Sequence, residues 1–235
     1  MDLYDAIFKL KSNRSYEMSA LPPAVFIDLE AAIAGFVRLY ADVPLDYRFT
    51  DQTKGMFSVK APHYLIIGGS GMDGELEAAG FLFEQANLWL SASGYGTIWL
   101  AGARDAHVDK PGDFVTIAFG TAASSPYRSL AEFKRKAIGE ITNAPDDICI
   151  QAARLAPSGM NGQPWYFLVE GLETYVYAKK ARGSMPMAYK LTDLDVGIAL
   201  AHYAIAAAKE DRPFAFARST DLPALDGFVP FGVIS

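Results

Sequence analysis

The chain has 235 residues, 51% of them hydrophobic and 20% charged, and 27 acidic against 21 basic side chains leave a formal net charge of -6. That is an ordinary globular composition, long enough for one large domain or two half-sized ones, and its acidic balance argues against a partner as anionic as nucleic acid. One cysteine (Cys149) and three histidines far apart in sequence (His63, His107, His202) exclude an internal disulfide framework and leave little from which to build a metal centre. In chain order, a short helix is expected over Asp2–Leu10, followed by the polar break Lys11–Ser15. Pro22-Pro23 then opens a helix over Ala24–Tyr40, with Val25, Leu29, Ala32, Ile33 and Phe36 in a stripe at steps of three and four. Tyr47–Thr50 and Ala61–Ile67 read as strands, and Gly68–Gly74 as a turn. Glu75–Ser93 is apolar nearly all round and therefore reads as a helix buried on every side, closed by Gly94. Thr97–Leu100 and Val115–Phe119 are further strands. No run of ~18 uncharged apolar residues is present, which argues against a membrane partner. Residues 1–23 carry no apolar h-region behind a basic end, so the expected location is the cytoplasm.

The second half repeats this order. A helix is expected over Asp146–Leu155, strands over Trp165–Val169 and Thr174–Ala178, an Ala-rich helix over Asp193–Lys209 and a last strand over Phe214–Ala217. Leu76–Gly80 aligns with Leu194–Gly197, and Thr97–Leu100 with Phe214–Ala217, at an offset of about 117 residues; Glu30-Ala31-Ala32 aligns with Gln151-Ala152-Ala153 at about 121. Such agreement points to an internal duplication, with halves 1–128 and 129–235 forming one intertwined unit. The small residues Ala199, Ala204 and Ala207 would let the two long helices approach closely.

The most informative stretch runs from Ala152 to Phe167, Ala-Ala-Arg-Leu-Ala-Pro-Ser-Gly-Met-Asn-Gly-Gln-Pro-Trp-Tyr-Phe. A helix must end before Pro157, Ser158–Gly162 form a small-residue loop, and Pro164-Trp165 starts a strand. Such a loop offers backbone N–H groups and two side-chain amides beside a flat aromatic, which suits the polar edge of a heterocycle. Asn161 and Gln163 serve equally well as internal caps of the loop. Ser158 is not in a nucleophile elbow, since no glycine stands two positions before it and no histidine lies nearby in sequence.

With Ala-Pro-Ser followed by Asn-x-Gln-Pro-Trp, this stretch resembles the flavin-binding signature of the FMN-dependent nitroreductase superfamily. The resemblance extends over most of the chain. Asn13-Arg14-Ser15 is similar to the family's N-terminal Arg-Arg-Ser segment, which holds the FMN phosphate and ribityl chain, although Asn13 stands where an arginine is usual. Gln85–Leu90 and Gly94–Gly102 resemble the long core helix and the glycine turn after it. This implies that the backbone of Trp99, Leu100, Ala101 and Gly102 faces the isoalloxazine, with an amide near Ala101 donating to N5. Val115–Gly120 resembles the next strand, although Phe119-Gly120-Thr121 lacks the usual Gly-Tyr-Pro. Lys134, Arg135 and Lys136 resemble the following basic segment, whose cation binds phosphate. Pro157, Ser158, Gly159, Asn161 and Gln163 complete the implied cofactor-binding set. Family members are homodimers with two composite sites, so the resemblance implies that dimer fused into one polypeptide, acting as a monomer with one site kept.

The implied fold is α+β, a mixed and mostly antiparallel sheet flanked by helices, in two tandem half-repeats. The implied function is that of an FMN-dependent oxidoreductase, passing electrons from NADH or NADPH through flavin N5 to a small electron-poor acceptor such as a nitroaromatic or quinone. No side chain is singled out as catalytic and no metal is required. A non-catalytic flavin carrier or sensor module fits the same residues. A third reading rests on Gly69–Gly74, a G-x-G-x-x-G run after an apolar strand and before a helix, as in a dinucleotide-binding dehydrogenase. Against it, the first acidic residue after the next strand, Asp105, stands about 31 positions beyond Gly74 rather than ~20.

Overall fold

The computed structural model describes residues 1–56, 58–179 and 191–235. They divide into two compact units, Met1–Glu132 and Phe133–Ser235. The first contains helices α1 (Leu3–Ile7), α2 (Pro23–Gly35) and α3 (Glu75–Ala92) and strands β1 (Asp46–Thr50), β2 (Thr53–Gly55), β3 (His63–Gly68), β4 (Gly96–Leu100), β5 (Ala103–Asp105) and β6 (Asp113–Gly120). The second contains α4 (Ile148–Arg154) and α5 (Thr192–Lys209) with β7 (Trp165–Glu170), β8 (Glu173–Lys179), β9 (Phe216–Arg218) and β10 (Phe228–Ile234).

The sheet of the first unit has the order β1-β3-β6-β4, antiparallel at every step, with β2 and β5 paired as a separate ribbon. Strand side chains alternate between faces, and both faces of β3 are buried. Tyr64 and Ile66 join Tyr16, Ile98, Leu100 and Ala118 in one cluster. On the opposite face Phe49 and Phe119 meet Phe26 of α2, and Tyr47 meets Phe83 of α3, with ring centroids 5.1 to 5.9 Å apart. α3 packs on α1, α2 and β4, and every residue from Glu77 to Leu88 is buried, as its all-round apolar pattern requires.

The second unit repeats the path with the order β7-β8-β10-β9, again antiparallel throughout. α5 packs on α4 and on β8, and the ring of Tyr203 stacks on Phe167 at 5.9 Å. Two parallel bridges, Ser12 to Thr97 and Thr142 to Phe167, add short edge pairings. The architecture is α+β, with antiparallel sheets flanked by helices.

The elements depart from the sequence expectations in identifiable ways. α2 ends at Gly35 instead of Tyr40, because the Gln85 side-chain amide of α3 takes the Val37 carbonyl at 2.9 Å and holds the chain out of the helix. α1 is shorter than Asp2–Leu10, and β9 begins two residues later than Phe214. The central strand β10 was not foreseen, since Pro230 and Gly232 in Phe-Val-Pro-Phe-Gly-Val-Ile break a strand pattern. The register shifts between those two residues, which accommodates the missing proline N–H. Glycine is required at 232, where a Cβ would lie 2.5 Å from the Ala217 carbonyl oxygen and against the Phe216 ring.

Candidate functional site

Among the described residues, the loop leaving α4 holds most of the backbone strain. Asp147 caps the helix by accepting from the N–H groups of Cys149 (2.8 Å) and Ile150 (3.1 Å). After Pro157 the chain is extended at Ser158, turns through Gly159–Asn161 and enters β7 at Trp165. Met160, Asn161 and Gln163 have φ of 51, 57 and 46°, three of the four non-glycine residues with positive φ among those described. Each costs on the order of 1 kcal/mol and persists only where neighbours over-determine it.

Those neighbours are the basic segment some 25 residues earlier. The Arg135 guanidinium donates to Asn161 Oδ1 (2.8 Å) and to the Leu155 carbonyl (2.9 Å). Asn161 Nδ2 donates to the Lys134 carbonyl at 2.8 Å. The Lys136 N–H donates to Gln163 Oε1 (2.8 Å), and its ammonium donates to the Gln163 carbonyl (2.6 Å). Arg154 donates to the Lys136 carbonyl at 2.6 Å. Thus Lys134, Arg135 and Lys136 belong with the Pro157–Gln163 loop in the second unit. The side-chain amides of Asn161 and Gln163 hold the loop together, the capping role left open by the sequence. Burial, followed by the Lys179 ammonium, pushes Lys136 below the ordinary lysine range.

The groups left to meet a ligand are few. Lys134 is exposed, and its ammonium has no partner among the described residues. Ser158 Oγ accepts the Gln163 N–H at 2.9 Å, and its own proton remains to donate. Trp165 is buried, yet its indole N–H meets no acceptor among the described residues. Met160 is 99% exposed at the tip of the turn.

In the first unit, residues 12–16 run beside the start of β4. The Asn13 N–H donates to the Thr97 carbonyl (2.8 Å), and its side-chain amide donates to the carbonyls of Lys11 (2.9 Å) and Pro126 (3.3 Å). Asn13 is therefore engaged in fastening this segment. Arg14 and Ser15 next to it are exposed; the Arg14 guanidinium makes a 3.5 Å contact to the Ser12 carbonyl, and the Ser15 carbonyl accepts the Ala123 N–H at 3.0 Å. At the other end of β4, Trp99 donates to the buried carboxylate of Glu84 at 2.8 Å, and Ala101-Gly102 form the turn into β5. Thr97 and Ala101 are separated by ~13 Å of strand at ~3.3 Å per residue. An exposed cation and hydroxyl at one end, with a backbone turn at the other, suit a phosphate ester joined to a ring by a flexible chain. Taken unit by unit, the donors present fit parts of FMN: Arg14 and Ser15 of the first suit a phosphate, and in the second Lys134 suits an anionic group and Ser158 with its neighbouring backbone a polar ring edge.

The glycine run Gly69–Gly74 does follow a strand and open a helix, but its donors are already engaged. The N–H groups of Ser70, Gly71 and Met72 all donate to the Glu75 carboxylate at 2.9 to 3.1 Å. β3 and β4 are separated by the antiparallel β6, so no doubly wound parallel sheet exists here. The dinucleotide reading is corrected on both counts.

One contact to the loop was missed at the level of sequence. Asp195, in the first turn of α5, accepts the Gly159 N–H on both carboxylate oxygens, at 2.9 and 3.1 Å. Burial raises this carboxyl to about 7. The available signal was an aspartate inside an apolar helix stripe.

The fold and the Ala-Pro-Ser loop define a nitroreductase-like α+β protein. Residues 2–207 match the family model described as "Putative TM nitroreductase", and the chain belongs to that family, and with it to the oxidoreductases. The solved structure of a putative nitroreductase from Thermotoga maritima MSB8 is similar over 100% of this chain and 93% of that one, with TM-score 0.72 and 22% identity. A nitroreductase family protein from Clostridium novyi NT is similar over 56% of this chain and 91% of its own, with TM-score 0.45 and 15% identity. An FMN-dependent nitroreductase from Clostridium difficile R20291 covers 51% of this chain and 87% of its own, with TM-score 0.40 and 14% identity. Comparison with curated protein sequences gives no match. No described helix is long and apolar enough to cross a membrane.

Proposed function

We propose that this protein binds FMN and passes electrons from NADH or NADPH to a small electron-poor acceptor such as a nitroaromatic or quinone. The observation that carries this reading is the Pro157–Gln163 loop, strained at three residues and pinned by the basic segment 134–136, in a chain of the nitroreductase family. When bound, the flavin supplies the hydride and electron chemistry, and the protein binds and orients it. Arg14 and Ser15 present a guanidinium and a hydroxyl to phosphate, and Lys134 adds an unengaged ammonium. In the second unit Ser158 would donate to a polar ring edge, and in the first the Trp99–Gly102 backbone would offer its amides to the ring. The cations of segment 134–136 favour the added negative charge of a reduced ring.

The internal duplication is part of the same proposal. Its support is the shared strand order of the two units and the 18 residues of both α3 and α5. A duplicated chain of this kind is expected to be monomeric by sedimentation.

The direct test is the visible absorption spectrum after incubation with FMN and desalting, followed by addition of NADH or NADPH without oxygen. Retained flavin that bleaches with either donor is the expected result. Retained flavin that no nicotinamide donor bleaches would make the protein a flavin carrier, and a colourless protein would sink the reading. Arg14→Ala and Ser158→Ala probe the share of each unit separately.

A further inference from the structure

The loop's fastenings come from two directions and differ in kind. On one side are Arg135 and Lys136, cationic donors to amide and carbonyl oxygens, with Arg154 holding the Lys136 carbonyl behind them. On the other is one carboxylate, Asp195, reaching across 36 residues of sequence to the Gly159 N–H. This N–H sits between Ser158, which presents its hydroxyl, and Met160, where the backbone first turns left-handed. Asp195 is only 7% exposed, and no cation contacts it among the described residues. A buried carboxylate without a countercharge destabilises the fold. Space does not explain the pairing either, since a Cβ on Gly159 would sit at an ordinary 3.5 Å from Asp195 Oδ2. What the contact does accomplish is to fix the peptide that leads into the strained turn.

We propose that Asp195 is a positioning residue for FMN binding: by taking the Gly159 N–H on both carboxylate oxygens it sets the backbone that presents Ser158, and so sets how tightly FMN is held. This inference rests on the FMN reading above. It also makes the loop responsive to protons. Burial first, opposed by the Gly159 hydrogen bond, places the Asp195 carboxyl at about 7. Of the ionisable groups on the elements packed against it, Lys179 at the exposed end of β8 lies near Lys136, and the others have partners of their own. Arg154 donates to the Lys136 carbonyl, Cys149 and Asp147 of the α4 end accept from Arg212, and His202 contacts the Ala152 carbonyl. On β8, Tyr177 donates to the Pro223 carbonyl and Tyr175 to Glu173, while Asp193 of α5 pairs with Arg218. Above about 7 the N–H is held by an anion, and below it by a neutral acid, whose hydrogen bond is roughly half as strong.

The test is FMN affinity, read from quenching of free FMN fluorescence, across a pH series on either side of about 7 for wild type, Asp195→Asn and Asp195→Ala. Wild-type affinity is expected to rise roughly fivefold as pH increases through that value, the fold-change of ~1 kcal/mol between charged and neutral acceptors. Asp195→Asn keeps the shape and an acceptor oxygen, so its affinity should follow the low-pH wild-type value at every pH. Asp195→Ala should bind about tenfold more weakly than wild type above neutrality, with no inflection. Hydrogen exchange of residues 156–163 in FMN-free protein, corrected for intrinsic rate, should slow with rising pH in wild type only. If all three proteins bind FMN equally with flat pH profiles, or the loop exchanges identically in all three, the positioning role is overturned while the FMN reading stands. If wild type binds no FMN at any pH, the FMN reading fails and this inference with it. Should Asp195→Ala not fold, the Asp195→Asn profile decides alone.

Discussion

The two units thread their sheets identically but use the loop after the short helix differently. In both, the second strand leads to an 18-residue helix, the next strand takes the sheet edge, and the last inserts between them. In both, the first turn of that helix sends a carboxylate to the loop leaving the preceding short helix. Glu77 Oε1 accepts the Tyr40 hydroxyl at 3.3 Å in the first unit, and Asp195 accepts the Gly159 N–H in the second. In the first unit, residues 36–45 follow an unstrained path, and no described non-glycine residue has positive φ. In the second, three such residues sit within four positions, pinned by the side chains of Arg135 and Lys136. A shared scaffold thus leaves the loop free to diverge, and three of the four described non-glycine residues with positive φ sit where a ligand-facing surface is proposed.

The largest effect is expected from Arg48→Ala, which tests whether the first unit depends on its own buried charge cluster. Arg48 bridges Asp105 (2.8 Å) and Asp113 (2.5 Å), whose side chains are nearly inaccessible. Removing it strands two carboxylates, at a cost of about 3–5 kcal/mol in urea unfolding. In wild type, burial tends to raise Asp105, but the His107 N–H and the Arg48 guanidinium outweigh it and hold the carboxyl low. A lowered carboxyl contributes stability above its unfolded range and loses it as pH falls. The variant's deficit should therefore shrink in acid, and an equal deficit at all pH values would refute the cluster's role.

Gly232→Ala is the corresponding challenge to the second unit. A Cβ meeting the Ala217 carbonyl and the Phe216 ring should cost about 1–3 kcal/mol and loosen β9, measurable as faster amide exchange at residues 216–218.

Asp195→Asn should raise the melting temperature above neutral pH. A carboxyl raised to about 7 contributes stability that is complete below its unfolded value and lost as pH climbs through the folded one. The difference between variant and wild type should therefore vanish in acid. A lower melting temperature for the variant at high pH would count against a costly buried carboxylate.

Glu75→Ala is expected to cost about 1–2 kcal/mol by freeing the N–H groups of Ser70, Gly71 and Met72. It should leave FMN affinity unchanged. A loss of nicotinamide or flavin affinity would show that the glycine loop takes part in binding after all. The smallest effect belongs to Ser158→Ala, which removes one hydroxyl donor and should weaken FMN retention about fivefold by equilibrium dialysis, with little change in stability.

Much of this was legible residue by residue. The apolar residues spread all round 76–90 marked a buried helix to within a residue of its observed end at Ala92, because burial on all sides needs no partner to be identified. Pro157 marked the end of α4 within three residues, and the Ala-Pro-Ser and Asn-x-Gln-Pro-Trp pieces located the loop. β10 was hidden because Pro230 and Gly232 suit a strand only where a bulge and a close neighbour receive them. The polar residues inside α3 were equally silent. Glu84 is buried because Trp99 and Asn87 donate to it, and neither pairing has a signature in local spacing.

The sequence by itself determined which segments are helices, where the small-residue loop lies and to which family the chain belongs. These depend on periodicity, on proline and glycine geometry and on short ordered motifs, all of which act over a few neighbouring residues. Only the tertiary structure decided that Lys134–Lys136 buckle the loop, that Glu75 occupies the glycine turn and that Asp195 grips Gly159. A hydrogen bond across 36 positions forms because folding brings its ends within 3 Å, and that distance is a property of how the helix and loop pack.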